Sequence, residues 1–384
     1  MSISIRDVQS LQPEIEQQII ELVNTESFST DLEALDRCSK VIEEWIPKFV
    51  ENATVTRHES ERFGDALVVK VPGNRNFNVL FVGHYDTVWP TGILEGWDTR
   101  EYTDEQAERR LSGPGIFDMK TGLVEMLWIA KLLQRSESSP AITLVINGDE
   151  ELGSPFSRPI IEKEAETADA AFVFEASANG AIKTARKGIA ILRLNATGVE
   201  SHAGLEPWKG ASAIDALVEV CTQVKQLEDH EKETTFNVGL IDGGTGSNVV
   251  AGKASATVDI RYWDPAEQTR IEEALNEITW SNDRANVEVD IEWNRPPMVR
   301  TQGTENLFNL LQKNAAALGE TLEETAVGGA SDANYISERG TPVICGVGAV
   351  GDGAHARHEF IFPDQIPLTI ATVANAIEEL VSNP

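Results

Sequence analysis

Apolar residues recur three or four apart over residues 11–24, at Ile15, Ile19, Leu22 and Val23. They do so again over 31–51, at Leu35, Val41, Trp45 and Val50. That period places them on one stripe of a helix, so both segments are expected to be amphipathic helices. Shorter apolar runs near 64–72 and 78–83 read instead as strands, and "NVLFVG" has no polar face at all, as a fully buried strand would. An amphipathic helix is expected near 120–135, a strand at 141–147, a short helix near 158–166 and a strand at 170–175. Strands alternating with helices predict an α/β fold, a mostly parallel sheet flanked by helices.

The rhythm changes after Lys187. "GIAILRLNATG" reads as a strand, "GASAIDALVEVCTQVKQL" as a helix, and "TTFNVGLIDGG" and "ASATVDIRYWD" as strands. "PAEQTRIEEALNEITW" reads as a helix and "NVEVDIEW" as a last strand. The order β-α-β-β-α-β is the ferredoxin-like pattern. Helix 304–318, the apolar strand "PVICGVG" and a helix near 364–381 then return to the first rhythm. The expected architecture is an α/β domain over 1–187 and 298–384, interrupted by an inserted ferredoxin-like α+β domain over 188–297.

Composition narrows the partners. The 62 acidic residues against 32 basic ones give a net charge of −30, which would repel nucleic-acid phosphates, so no nucleic acid is expected as a partner. No apolar stretch approaches the ~20 residues that cross a bilayer, so no membrane partner is expected. The N-terminal segment lacks the continuous apolar run of a secretory signal, so the expected location is cytoplasmic. Cys38, Cys221 and Cys345 are widely spaced and form no CxxC pair, which argues for free thiols.

In an open α/β sheet, ligands bind beyond the carboxyl ends of the strands. His84 and Asp86 lie just past strand 78–83, and Asp149, Glu150 and Glu151 past strand 141–147. Glu175 closes strand 170–175, and His355 and His358 follow "PVICGVG". The glycine-rich "SGPGIFDMKTG" delivers Asp118 next to a helix start. Each feature alone is ordinary loop polarity in so acidic a chain; their recurrence at successive strand ends is not. Imidazole and carboxylate donors without thiolates suit zinc, with cobalt or manganese as substitutes. They exceed what one catalytic zinc needs and suit two metals sharing a carboxylate. Residues two apart on an extended strand share a face, so Asp86 is placed to orient His84. Trp89 and Pro90 are left without a role in this argument.

"GHYDTV", "GPGIFDMKTG", "GDEELGS", "VFEAS" and "GAHARHE" resemble, in order, the metal-site motifs of the co-catalytic zinc aminoacylase/carboxypeptidase family. That family includes glutamate carboxypeptidases (carboxypeptidase G), acetylornithine deacetylases and succinyl-diaminopimelate desuccinylases, and the likeness is strongest to the first. The resemblance implies a zinc-exopeptidase-like fold and two Zn2+ per subunit. Asp118 would bridge both ions, His84 and Glu175 would complete one, and Glu151 and His355 the other. His355 is preferred over His358 because the family places its ligand four residues before the acidic residue, here Glu359. Glu150 would be the general base, and the peptide bond after Asp118 would be cis.

The resemblance further implies that the inserted domain is a lid through which the chain forms a homodimer. His202, in "SHAG", would then stabilise the oxyanion from the partner subunit. Lys183, Asn248, Arg261 and Arg295 match positions that hold the substrate's C-terminal glutamate; guanidinium groups hold carboxylates by paired hydrogen bonds. The expected reaction is cleavage of an amide bond next to a free carboxylate, with carboxypeptidase-like release of a C-terminal amino acid such as glutamate. An N-acyl-amino-acid deacylase is the alternative within the enzymes, and a metal-binding scaffold without turnover the alternative outside them.

Overall fold

The computed structural model describes residues 3–97 and 100–382. The chain divides into two compact units, Met1–Ala185 with Arg300–Val327 and Ser331–Pro384, and Arg186–Val299 with Gly328–Ala330.

The first unit is built on an eight-stranded sheet. Its centre consists of Ala141–Gly148, Asn78–His84, Ala170–Val173 and Val343–Cys345, adjacent in that order and all parallel. Six of the seven residues of Asn78–His84 are buried, as expected for a strand covered on both faces. Beyond Ala141–Gly148, the strands Gly64–Val71 and Thr54–His58 add antiparallel. At the other end Ile182–Arg186 pairs antiparallel with Val343–Cys345, and Glu324–Val327 closes the order. The fold is thus the expected sheet flanked by helices, with parallel strands at the centre and antiparallel ones outside.

The covering helices present the predicted stripes. Gln12–Asn24 buries Ile15, Ile19, Leu22 and Val23; Leu32–Phe49 buries the expected Leu35 and Trp45 together with Ile42 and Ile46, while Val41 is half-buried and Val50 lies just past the helix end. Asp31 caps the latter by accepting from the Ala34 amide at 3.1 Å, which satisfies one of the orphan donors of its first turn. Thr121–Gln134 buries eleven of its fourteen residues, which makes it a core helix rather than an amphipathic one. Gln302–Ala317 and Ile366–Ser382 complete the cover.

Four short strands, Glu101–Thr103, Arg109–Ser112, Gly351–Asp352 and Phe360–Ile361, form a small antiparallel sheet that the hydrophobic pattern does not predict. Segments of two to four residues are too short to show a period.

The second unit holds Gly188–Thr197, Thr235–Gly243, Lys253–Tyr262 and Asn286–Arg295, all antiparallel. In chain order of these four, the sheet runs second, third, first, fourth, the ferredoxin-like arrangement. Burial alternates along Gly188–Thr197, so one face packs on the helices Ala213–Lys225 and Ala266–Asn276. Arg186 and Met298 exchange two main-chain hydrogen bonds of 3.1 and 3.0 Å where the chain enters and leaves. Gly328–Ala330 belongs here because Arg186 donates to the carbonyls of Gly329 and Ala330, and Arg261 to that of Gly328. Among the described residues, no helix is long and apolar enough to cross a membrane.

Candidate metal centre

Each candidate ligand is delivered by a strand end or a turn of the first unit. His84 is the last residue of Asn78–His84, and its side chain is 2% exposed. Its Nδ1 lies 3.0 Å from the main-chain carbonyl of Asp86. A carbonyl can only accept, so in the neutral ring the proton sits on Nδ1 and Nε2 presents its lone pair inward. The Asp86 carboxylate, with Oδ1 3.4 Å from the same nitrogen, also accepts from the amides of Glu150 at 3.1 Å and Glu151 at 3.2 Å. Asp86 therefore ties the His84 strand end to the acidic pair after Ala141–Gly148. Asp149 fixes the same loop from its other side, accepting from the amides of Phe156 and Ser157 at 2.7 and 3.1 Å.

Asp118 stands in the turn that precedes helix Thr121–Gln134, and the Asp118–Met119 peptide is cis. Gly115 enters this turn at φ +71, where a Cβ would meet Thr87 Cγ2 at 2.4 Å, so only glycine serves. Lys120, fully buried, spans to the end of helix Gln12–Asn24 and donates to the carbonyls of Leu22 and Thr25 at 3.1 and 2.8 Å. A cation at those carbonyls complements the helix dipole.

The two carboxylate oxygens of Asp118 face opposite ways. Oδ1 lies 3.4 Å from His84 Nε2, which is itself 3.7 Å from Glu175 Oε1. Oδ2 lies 3.4 Å from His355 Nε2, which is 3.2 Å from Glu151 Oε2. Despite its burial, which would raise it, the Asp118 carboxyl is held well below its usual range by the His355 and His84 imidazoles beside it. His355 is raised to about 10 by its hydrogen bonds to Asp118 and Glu151. His84 is raised as well: burial opposes its charge, but Asp118 and Asp86 outweigh it. Burial pushes the Glu151 carboxyl up.

This donor set fits metal ions. His84 Nε2 and Glu151 Oε1 are buried and make no hydrogen bond, although buried polar atoms in folded proteins are nearly always paired. His84, Asp118 and Glu151 can each bring a ligand atom within 4.8 Å of the others, and so can His84, Glu150 and Glu175.

Of the remaining candidates, Lys183 is half-buried on Ile182–Arg186, opposite Cys345. His202, Asn248, Arg261 and Arg295 belong to the second unit. His202 and Val249 form an isolated bridge, and the Ala203 amide donates to the Asn248 carbonyl at 2.9 Å, so His202 and Asn248 stand on adjoining loops. Arg261 is engaged on its own strand, donating to both carboxylate oxygens of Asp259 at 2.8 and 2.9 Å. Arg295 is 4% exposed. His355 and His358 are both exposed, and it is His355 that lies beside Asp118 and Glu151.

Residues 80–379 match the pattern of Peptidase family M20/M25/M40. The chain is 31% identical over 382 residues to carboxypeptidase G2 of Pseudomonas sp. (strain RS-16), covering 96% of this chain and 90% of that one. The chain belongs to the M20/M25/M40 peptidases. It is 26% identical to the succinyl-diaminopimelate desuccinylase of Polynucleobacter necessarius, over 81% of this chain and 84% of that one. A Bacillus subtilis protein described as a dinuclear metal binding peptidase of the M20 family superposes with a TM-score of 0.67, over 98% of this chain and all of the other, at 14% identity. As an M20 enzyme the protein is a metal-dependent hydrolase of peptide or amide C–N bonds.

Sequence reasoning missed two parts of this M20 site. The dual hold of Asp86 on His84 and on the Glu150–Glu151 amides needs contacts across 64 and 65 residues of chain. Glu359 served only as a spacing marker, yet it is 0% exposed and accepts from Trp89 Nε1 at 2.8 Å. The available signal was an acidic residue set between the polar turn "GAHARH" and the apolar "FIF".

Proposed function

We infer that the protein is a two-zinc amidohydrolase that releases a C-terminal amino acid from a small carboxylate-bearing peptide or amide. The observation that carries this reading is the Asp118 carboxylate, with one oxygen 3.4 Å from each of two histidines that each stand beside a separate glutamate. His84 and Glu175 would hold one ion, His355 and Glu151 the other, and Asp118 both; cobalt or manganese are the substitutes. A bound pair of such metals supplies Lewis acidity and makes water a nucleophile at neutral pH.

The chain's own groups do the rest. Glu150, 9% exposed and fixed through its amide by Asp86, takes the proton of the attacking water and returns it to the leaving amine. His202 Nδ1 accepts from the amides of Gly204 and Leu205 at 3.1 and 3.2 Å, so its neutral ring carries the proton on Nε2. That N–H would be the donor for the oxyanion in the partner subunit's site. Arg261, Asn248, Arg295 and Lys183 are assigned to the substrate carboxylate, with glutamate as the released residue in view of the 31% identity to a protein named carboxypeptidase G2. Asp259 would hold the Arg261 guanidinium in orientation.

A homodimer fits the second unit, whose edge strand Thr235–Gly243 exposes Leu240 and Ile241 by 69% and 63%. Ile214 and Val218 are exposed on the adjoining helix, and Leu205 and Trp208 on the loop of His202. Light scattering of Ile241→Glu is expected to report a monomer.

Steady-state assays of N-acetyl, N-succinyl, dipeptide and pteroyl-glutamate substrates on the zinc- or cobalt-loaded protein test the reading. Substrates ending in free glutamate are expected to be cleaved fastest, and Glu150→Ala to lose about 10²–10⁴-fold in kcat. Equal cleavage of acidic and neutral C-terminal residues removes the glutamate assignment, preference for the acetyl or succinyl compounds makes the enzyme a deacylase, and full activity in Glu150→Ala removes the base.

A further inference from the structure

Three segments that deliver the candidate ligands converge on a single carboxylate outside the ligand set, that of Glu359. Its Oε1 accepts from the amides of Phe117 and Asp118 at 2.9 and 3.1 Å. Its Oε2 accepts from the Gly115 amide at 3.0 Å and from Trp89 Nε1 at 2.8 Å. Removing a carboxylate from water costs several kcal/mol unless donors replace the lost hydration. Here four N–H groups replace part of it, while burial still pushes the carboxyl up.

The identity of those donors is what makes the contact more than burial chemistry. Gly115, Phe117 and Asp118 all lie in the turn that presents Asp118, and their amides line one concavity, as in an anion-binding nest. Trp89 lies five residues beyond His84, on the loop that contains Asp86. Glu359 itself ends the turn that carries His355, closed by hydrogen bonds from Ala356 N to Gly353 O at 2.8 Å and from Glu359 N to Ala356 O at 2.9 Å. Its main chain is pinned too: the Glu359 carbonyl accepts from Ser112 Oγ at 2.6 Å, and that hydroxyl accepts from Trp97 Nε1 at 2.8 Å. The rings of Trp89 and Trp97 meet edge to face at 5.1 Å between centroids, which holds both donors in place.

We propose that Glu359 is a positioning residue of the metal centre, whose carboxylate locks the Asp118 turn, the His355 turn and the Trp89 loop into one register. Without it, the Asp118 turn and the His355 turn would be tied by the pairing of Arg109–Ser112 with Phe360–Ile361 and by the Ser112 hydroxyl on the Glu359 carbonyl, neither of which reaches the amides beside Asp118. The proposal rests on the two-metal reading above and gives Trp89 its role.

The test uses the full-length protein stripped of metal and compares wild type with Glu359→Gln and Trp89→Phe. Glutamine keeps the size of the side chain but offers one acceptor oxygen, and its NH2 would confront amide donors. Phenylalanine keeps the ring packing and removes one donor. Zinc affinity is measured by competition with a chelator, cobalt(II) loading by its visible absorption spectrum, the apo fold by circular dichroism and melting, and turnover as kcat and KM separately. For E359Q we expect about 10–100-fold weaker zinc binding, by analogy with loss of other groups that orient ligands, a changed cobalt spectrum, and a loss in kcat with KM nearly constant. W89F should move the same readouts in the same direction by less.

Wild-type zinc affinity and cobalt spectrum in a folded E359Q, with only the melting temperature lowered, would reduce Glu359 to a structural carboxylate and overturn the proposal. If E359Q does not fold, W89F decides by the same criteria. A wild type that takes up no stoichiometric metal instead overturns the two-metal reading itself, and the two failures are thereby distinct.

Discussion

The two sides of Asp118 carry the same chemistry, an imidazole and a glutamate, on very different supports. His84 ends a central strand hydrogen-bonded on both edges, its ring oriented by a main-chain carbonyl, and its side chain is 2% exposed. Glu175 beside it is 10% exposed. His355 stands on a turn at φ +61 with its side chain 54% exposed. Rigid, buried ligands bind a metal at little cost in ordering, whereas an exposed ligand on a turn yields more readily. On that reading we expect the His84 side to be the firmer site and the His355 side, although its Glu151 is only 7% exposed, the more labile one.

The shared carboxylate gives the largest expected effect. Asp118→Asn weakens both sides at once, so metal content should fall from two ions towards none and activity below detection; a variant retaining one firmly bound ion would show that the sides are independent. Next come the single-side variants. His84→Ala should abolish the tighter step of a zinc titration and lower the melting temperature of the zinc-loaded protein, while His355→Ala should abolish only the weaker step. Timed chelation of the wild type should remove the metals in two phases, the His355 side first. Reversal of that order would contradict the contrast drawn from burial.

The smallest effect is graded with pH. In the metal-free protein His355 keeps its proton to about 10, because Asp118 and Glu151 accept from it. Its folded value lies above the ordinary 6.5, so this pairing stabilises the metal-free fold fully below about pH 6.5 and is lost as pH rises through about 10. Metal must displace that proton. The weaker binding step should thus strengthen from pH 6 to 8, by up to about tenfold per unit, with proton release visible calorimetrically in buffers of different ionisation enthalpy. A pH-independent weaker step would place it away from His355.

Much of this contrast could be read from the sequence, and the reason is local. Asn78–His84 and Ala141–Gly148 are unbroken apolar runs that stop at polar residues, so strand and candidate ligand are read from the same few positions. Thr54–His58 and Ile182–Arg186 went unseen because "TVTRH" and "IKTAR" carry too little apolar character to announce a strand. Their pairing comes from neighbours supplied elsewhere in the chain. The same holds inside the site. Asp86 was expected to steady His84 with its carboxylate, yet the nearer contact to the ring is its carbonyl at 3.0 Å, with carboxylate Oδ1 at 3.4 Å. That carboxylate also accepts from amides more than sixty residues away. Glu359 reaches donors 241 to 270 residues distant, which no periodicity encodes.

Anomalous diffraction at the zinc edge from crystals of the zinc-loaded protein tests the central claim most directly. The account predicts two peaks about 3.5–4 Å apart, one between His84 and Glu175, the other between His355 and Glu151, with Asp118 between them. A single peak, or a second one on His358 in place of His355, would contradict it.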